Sequence, residues 1–597
     1  MWYHTPRELG YSRTDNGCNV RKIIQITELI SQRLVAANYR LIRKSTAMRA
    51  LLVCPEFPVS FWSFRKAVSF RGNKTTNPPL GLLTVAALLP SDWKLRLADL
   101  NTRSLTEQDW QWADLILITS MYIQRQGLLT LVREAKKRGK TVVAGGPYPT
   151  SLPEAVLEAG CDYVVRGEGE NTIPLLLEAL RTGQTGVIEN EAKPDMTTSP
   201  IPRFDLLRLD DYDSMTIQTS RGCPFDCEFC DVVNLFGRKP RHKTPKQVLA
   251  ELEALYRLGA LKTVFICDDN FIGSKQHARA LLQELIPWLK SHGEPFNFLT
   301  QASVNLGQDP EMINLLTEAN LGKVFIGIES PDEKVLETSR KFHNVKNPLI
   351  ESLNNIRAQG IAVIGSFILG LDGESKGAGE RICAFIEQTG IPMAMLGVLQ
   401  AAPLTSLWHR LEKEGRLRRD VGDDAGTFSP LNYDPTRPEV EIMQEYVDAW
   451  DYLYEPSRYL ARAYRYHLAM RPTRRAMAIT AGTPLPKPDV PKQPMTWRRK
   501  LIDLRAFFKI AWRQGVLPPY RVQFWTQLIG IMRKNPSRFM QYFVTCAMGE
   551  DLFSMRKMVR EKFTAIIKKR QIEGPAALQD RLSEASLEPS SSRAIQD

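Results

Sequence analysis

The chain has 597 residues, too many for one hydrophobic core, so three or four domains are expected. Nine scattered or loosely grouped cysteines do not make a disulfide framework, which places the chain in a reducing cytoplasm. The net charge of +13 belongs to the C-terminal end, where residues 451 to 597 carry about 27 basic against about 12 acidic side chains, and no apolar run reaches the ~20 residues needed to cross a bilayer.

Residues 1 to 47 lack the layout of a signal peptide. Met48 directly precedes Arg49 to Cys54, a buried-strand pattern, so residues 1 to 47 are expected to be an extension and the working protein to begin at Met48. From there to about 182, apolar strands (Ala50 to Cys54, Leu95 to Asp99, Leu115 to Thr119, Thr141 to Ala144, Tyr163 to Arg166) alternate with helical patterns at Leu80 to Leu89 and Gln126 to Arg138. That alternation predicts an α/β fold, a parallel sheet covered by helices on both faces, with ligands beyond the carboxyl ends of the strands. Those ends carry Ser120, the pair Gly145 and Gly146, and Gly167 to Glu170. Residues 183 to 203, rich in glycine and proline, read as a linker.

A second alternation runs from 204 to 424, with strands at Met215 to Gln218, Thr263 to Cys267, Phe296 to Leu299, Val324 to Ile328, Ala362 to Leu369 and Met395 to Leu399. Directly after its first strand stand Cys223, Cys227 and Cys230, a CxxxCxxC triplet. Three soft thiolates this close select an iron–sulfur cluster or zinc. Structural zinc wants four protein ligands, and the nearest fourth candidate, His242, lies beyond a basic loop. A zinc knuckle or three reduced core thiols stand as the alternatives. The later strand ends offer Asp268, Asp269 and Asn270, then Gln301 and Ser303, then Glu329, then Ile368 to Gly370 with Glu374. An acidic pair at such a place is equally able to cap a helix.

The triplet, with the aromatic Phe229 before its last cysteine, resembles the radical SAM superfamily. The resemblance implies a partial (β/α)6 TIM barrel in which the three cysteines hold a 4Fe-4S cluster whose open iron chelates S-adenosyl-L-methionine. It further implies Phe229 against the adenine, Asp268 and Asp269 at the strand-two end near the amino group, Gln301 and Ser303 at the strand-three end among the cofactor-binding residues, Glu329 near the ribose or methionine moiety, and Ile368 and Gly370 by the adenine. Taken with this barrel, residues 48 to 182 are similar to the Rossmann-like cobalamin-binding domain that precedes many radical SAM domains. In that family a serine and a glycine pair, here Ser120, Gly145 and Gly146, accommodate the nucleotide tail of cobalamin. The lower axial histidine of a DxHxxG motif is replaced here, where the chain reads Asp99 Leu100 Asn101 Thr102 Arg103.

Beyond 425 the pattern turns to helices rich in Tyr, Trp and Arg, at Val440 to Leu453, Ser457 to Met470, Arg498 to Arg513 and Tyr520 to Arg533, with a proline-rich break at 484 to 494 and a polar, disordered tail after 571. This region is similar to the helical C-terminal domain of one radical SAM branch whose relatives include hopanoid methylases. The helix Arg498 to Arg513 is basic and amphipathic. It is expected to cover a core with its cations in water, with peripheral membrane contact as the second reading. The expected function is a cobalamin-dependent radical SAM C-methyltransferase acting on a hydrophobic small molecule. Gln400 and Trp408 would offer an apolar wall, and an electron donor such as a flavodoxin or ferredoxin would be a partner. An oxidative cyclase or rearrangement enzyme with the same cofactors is the alternative. A non-catalytic, metal-containing nucleic-acid-binding protein is the alternative of another class, although no recognition motif accompanies the basic region.

Overall fold

A computed structural model of the protein describes residues 48–260, 262–418, 428–483 and 497–573. The extension before Met48, the proline-rich break and the tail beyond 573 lie outside the described residues.

The first domain is a six-stranded parallel sheet: β1 (Arg49–Cys54), β2 (Lys94–Asp99), β3 (Leu115–Thr119), β4 (Thr141–Gly145), β5 (Tyr163–Arg166) and β6 (Gly186–Glu189), in the order β2-β1-β3-β4-β5-β6. Beyond Arg49, β1 is buried along its whole length. Its unbroken run of apolar residues is what a strand covered on both faces requires. Between β1 and β2 the chain forms α1 (Arg65–Phe70) and α2 (Leu80–Leu88), and after β5 comes α3 (Gly169–Thr182). Helices α2 and α3 cover one face of the sheet, with Val85, Leu88 and Ile173 against Leu117, Val143 and Val165. The expected linker needs correcting: Gly186–Glu189 pairs with β5 as the sixth strand, so the domain runs past 182.

The second domain contains β7 (Ser214–Ile217), a small antiparallel pair β8 (Ser220–Arg221) and β9 (Arg241–His242), then β10 (Thr263–Ile266), β11 (Asn297–Gln301), β12 (Leu321–Glu329), β13 (Ala362–Leu369) and β14 (Met393–Val398). Its six-stranded parallel sheet has the order β14-β13-β12-β11-β10-β7, each unit laid beside the one before. On β12, Val324, Ile326 and Ile328 are fully buried, while the alternate residues Lys323, Phe325 and Gly327 are half-buried. A strand with helices outside and an open lumen inside gives this two-residue period. The barrel does not close on itself, so β7 and β14 are edges.

Unpaired strand edges must be covered. At β7 the segment before α2 does it: Ser214 N donates to Thr76 O at 2.9 Å and Thr75 bridges Tyr212. At β14 the helical third of the chain does it. Its helices of eight residues or more are α4 (Ser406–Lys413), α5 (Glu439–Leu453), α6 (Pro456–Ala469), α7 (Trp497–Gly515), α8 (Arg521–Lys534) and the 35-residue α9 (Phe539–Glu573). The Tyr454 hydroxyl accepts from Ala394 N at 3.1 Å and donates to Ala394 O, and Tyr446 donates to Leu396 O at 3.3 Å. Asp551 on α9 then accepts from Lys66 N and Ala67 N, both at 2.9 Å, and so caps α1 of the first domain. Phe61 and Phe64, just before α1, are buried in the core shared by the barrel and the helical region.

Tyr454→Phe is expected to leave both backbone groups of Ala394 without their partner, at a cost of about 1–3 kcal/mol. Urea denaturation should show that loss, while Tyr452→Phe, an exposed tyrosine two residues earlier in the last turn of α5, should leave stability unchanged.

Candidate active site

The cysteine loop is fastened on every side. Asp268, at the end of β10, is fully buried and accepts from Thr219 N (2.6 Å), Ser220 N (3.0 Å) and Ser220 Oγ (2.8 Å), as well as from the Thr219 hydroxyl. Asp269 accepts from Gly222 N at 2.8 Å, and burial pushes its carboxyl up to about 6. Gly222 has a φ of +94°, and a Cβ there would sit 2.8 Å from the Gly237 carbonyl oxygen, so only glycine fits the turn into Cys223. Between the second and third cysteines, Glu228 N donates to Ser339 O, its carbonyl accepts from Leu407 N, and its buried carboxylate is held by two nitrogens of Arg410 at 2.9 and 3.1 Å.

The three thiols are half-buried and close enough to act on one another: Cys227 feels Cys223, and Cys230 feels both. Burial raises all three, Cys230 to about 12, so they are neutral thiols near neutral pH and would give up their protons only on binding a metal. No three His, Cys, Asp or Glu side chains among the described residues gather round a single ion. His242 stacks on His277, ring centroids 4.0 Å apart, and makes no fourth ligand.

Across the loop stands a buried ion pair. Glu329 ends β12 with a φ of +67° at a shift of register against β13, a bulge that re-aims its side chain. Lys341 Nζ donates to Glu329 Oε1 at 2.7 Å and Ser366 Oγ to Oε2 at 3.2 Å. Burial lowers the Lys341 ammonium, but Glu329 and the thiols of Cys227 and Cys230 outweigh it and keep it cationic. The same ammonium lies 5.7 Å from the centre of the Phe229 ring. Gln301 and Ile368 are half-buried, Ile368 two residues from Ser366 and so on the same face of β13.

Other expected site residues are committed to the protein itself. Asp268 needs correcting from ligand contact to loop fastening, since both of its oxygens are taken. Ser303 is bonded to Asn270. The Gly370 amide donates to Glu374 at 2.9 Å and its carbonyl accepts from Tyr433. Gln400 donates to Pro430 O, and Trp408 is half-buried against the core.

Above the loop lies a cavity of about 650 Å³, walled by the carboxyl ends of β1 to β5. It runs down between the sheet and helices α2 and α3, past Gly81, Thr84, Val85, Leu117, Val143 and Ile173. A close-packed domain does not leave such a slot by accident. A Cβ added to Gly81 would meet nothing within 4 Å. Gly145 and Gly146 line the cavity, and a Cβ on Gly146 would lie 2.7 Å from Thr119 Oγ1. Ser120 is the correction: it is fully buried, its hydroxyl donates to Met121 O, and Thr119 takes the place on the wall. Asn101 offers no free group below the slot, because its oxygen accepts from Phe57 N and its amide donates to Asp99. Gln218, Arg221, Phe236 and Cys267 of the barrel complete the wall, so the same space touches both domains.

The two domains are locked at this wall. Arg221, two residues before Cys223, donates to Glu168 at 2.6 Å and to both oxygens of Glu170 at 2.9 Å, and Arg241 donates to Glu168 at 2.7 Å. All four side chains are at least four-fifths buried. Sequence reasoning placed the two glutamates at a strand end but had no signal for their partners.

Comparison with known proteins agrees with this layout. Residues 73–177 match the B12 binding domain, 217–386 the radical SAM superfamily, and 405–565 a domain of unknown function, DUF4070. The chain is 46% identical over 516 residues to an uncharacterized methyltransferase of Synechocystis, covering 86% of this chain and 93% of the relative. It is 34% identical over 491 residues to the hopanoid C-2 methylase of Rhodopseudomonas palustris, covering 80% and 88%. In fold it is similar to the cobalamin-dependent S-adenosylmethionine radical enzyme OxsB, with a TM-score of 0.53 at 15% identity over 93% of this chain and 83% of that one.

Burial works to raise the Glu170 carboxyl, but Arg221 outweighs it and holds the group at about 2, below its ordinary 4.5. The stability this gives is complete above 4.5 and is lost as pH falls toward 2. Arg221→Met, which strands the buried Glu170 carboxylate and leaves Glu168 to Arg241 alone, is expected to cost about 3–5 kcal/mol near neutral pH. The gap to wild type should shrink as denaturation is repeated from pH 4.5 down to 2.

Proposed function

The chain belongs to the B12-binding radical SAM proteins that include the hopanoid C-2 methylase, and from that footing we propose that it is a C-methyltransferase acting on a hydrophobic, hopanoid-like lipid. Its cofactors are a 4Fe-4S cluster, S-adenosyl-L-methionine and cobalamin. Bound together, they supply reductive cleavage of S-adenosylmethionine to a carbon radical and a methyl group for transfer. The observation that carries the reading is the single cavity whose wall joins the glycine pair of β4 to Arg221 and Cys267 beside the cysteine loop.

The residues divide the work. Cys223, Cys227 and Cys230 would hold the cluster. Gly81, Thr84, Gly145 and Gly146 would leave room for the nucleotide tail of cobalamin. The Glu329–Lys341 pair, at the barrel mouth beside Phe229, would hold the polar end of S-adenosylmethionine, with Asp269, Gln301 and Ile368 near it. The rim has apolar groups for a hydrophobic substrate: Phe57, Trp62 and Met121 line the cavity, and the ring of Trp62 meets that of Phe325 in the barrel at 5.1 Å. Apolar walls also keep water from a reactive carbon centre. A one-electron donor of the flavodoxin or ferredoxin kind completes the set.

Anaerobic reconstitution should load about four irons per chain, and alanine at any of the three cysteines should abolish that loading. Gly81→Leu should fill the slot and remove the corrinoid absorption bands while leaving iron content unchanged. With methyl-labelled S-adenosylmethionine and a hopanoid acceptor, label should appear in the lipid. Label absent from product, with substrate consumed, would instead favour the oxidative reading.

A further inference from the structure

Helices α7 and α8 each present an apolar stripe to solvent in addition to the face they bury. On α7 the inner face is Ala506, Ile510 and Gln514, with Phe507 packed on Phe543 of α9. The outer stripe is Trp497, Leu501, Leu504, Phe508 and Trp512, spaced by three and four residues, and Phe508 is 62% exposed. It continues through the turn with Val516 and Leu517, and on α8 with Val522, Trp525, Ile529 and Met532. The Trp525 indole donates to Gly515 O at 2.8 Å, so the two stripes meet at the turn. An uncovered patch of this extent marks an interaction surface.

The charge around it names the partner. From 497 to 549 the chain has ten Lys and Arg and one acidic residue, Asp503, which is turned to Arg71 of the first domain at 3.1 Å. Lys500, Arg505, Arg521, Arg533 and Lys534 are exposed, and on α7 and α8 they flank the apolar stripes. Tryptophan, bulky aliphatics and flanking cations, with the one acid, Asp503, paired to Arg71, match the boundary between anionic headgroups and acyl chains. No helix among the described residues is long and apolar enough to cross a membrane, so the contact is in the plane of the surface.

We propose that the α7–α8 hairpin seats this protein on an anionic lipid surface. The inference stands on the exposed stripes and not on the identity of the methylated substrate. The test is flotation of the full chain with vesicles of phosphatidylcholine containing phosphatidylglycerol. Wild type is expected to float, to float less as salt is raised, and to float poorly with phosphatidylcholine alone. The triple variant Phe508→Glu, Leu517→Glu and Val522→Glu changes only exposed side chains. It should melt as wild type does and partition at least about a hundredfold more weakly, on the order of tenfold per lost anchor. Leu175→Glu, an exposed position in the first domain, should float as wild type does. The proposal falls if wild type stays behind with anionic vesicles, or if the triple variant floats equally well. It falls also if sedimentation shows a wild-type dimer that the triple variant turns into monomer, since a second copy would then be the cover.

Discussion

Two carboxylates and two guanidinium groups, withdrawn from water at the seam between the domains, set the geometry on which the rest depends. Glu168 is the N-cap residue of α3 after β5 and Glu170 stands in the first turn of that helix, while Arg221 and Arg241 come from the small sheet that leads into and out of the cysteine loop. A buried ion network of this kind contributes little net stability over an apolar seam, but its geometry is specific, and removing one member is costly. That is suited to a site where two cofactors bound to different domains must meet at a fixed distance. A hydrophobic seam of the same area would tolerate sliding, whereas the paired hydrogen bonds of Arg221 to both oxygens of Glu170 do not.

The partial barrel raises the opposite problem, since it leaves backbone unpaired at both edges. The solution uses chain from both ends of the sequence: residues 74 to 76 at β7, and tyrosines of α5 at β14. Asp551 then joins the two covers by capping α1 from α9. The helical region is thus part of the barrel wall, and the core that includes Phe61 also includes Phe563.

Much of this was legible in the sequence, and the remainder was hidden for identifiable reasons. Alternating apolar runs and helical stretches are local patterns, and they gave both sheets and the parallel topology; Leu115 to Thr119 and Ala362 to Leu369 are strands with the bounds expected. The three cysteines sit in one loop because their spacing alone demands it. Gly186 to Glu189 was hidden because four half-exposed residues between glycines and prolines have the composition of a linker, and only β5 beside them makes a strand. Asp268 and Ser120 failed differently. Each stands at a strand end, where ligand contacts gather, but whether a polar side chain faces the ligand or fastens a neighbouring loop depends on groups distant in sequence, such as Thr219, 49 residues from Asp268. Lys341 escaped notice because nothing around it in the chain marks it; only the fold sets it against Glu329.

The helix Trp497–Gly515 shows the limit of periodicity most clearly. A single apolar face implies a helix lying on a core, and the amphipathic pattern of Arg498 to Arg513, with Leu501, Leu504, Ala506, Phe508 and Ala511 as its apolar residues, predicts that arrangement. The structure divides them: Ala506 and Ala511 go inward with Ile510, while Leu501, Leu504 and Phe508 go outward. The bulky side chains are left to solvent, where burial elsewhere must supply their reason for being retained. An enzyme whose substrate is itself dissolved in a bilayer has such a reason. On the proposed lipid surface the search for a molecule that water barely holds would be shortened at no cost to the fold, because the inner face of the helix is already held to α9 through Phe507 on Phe543.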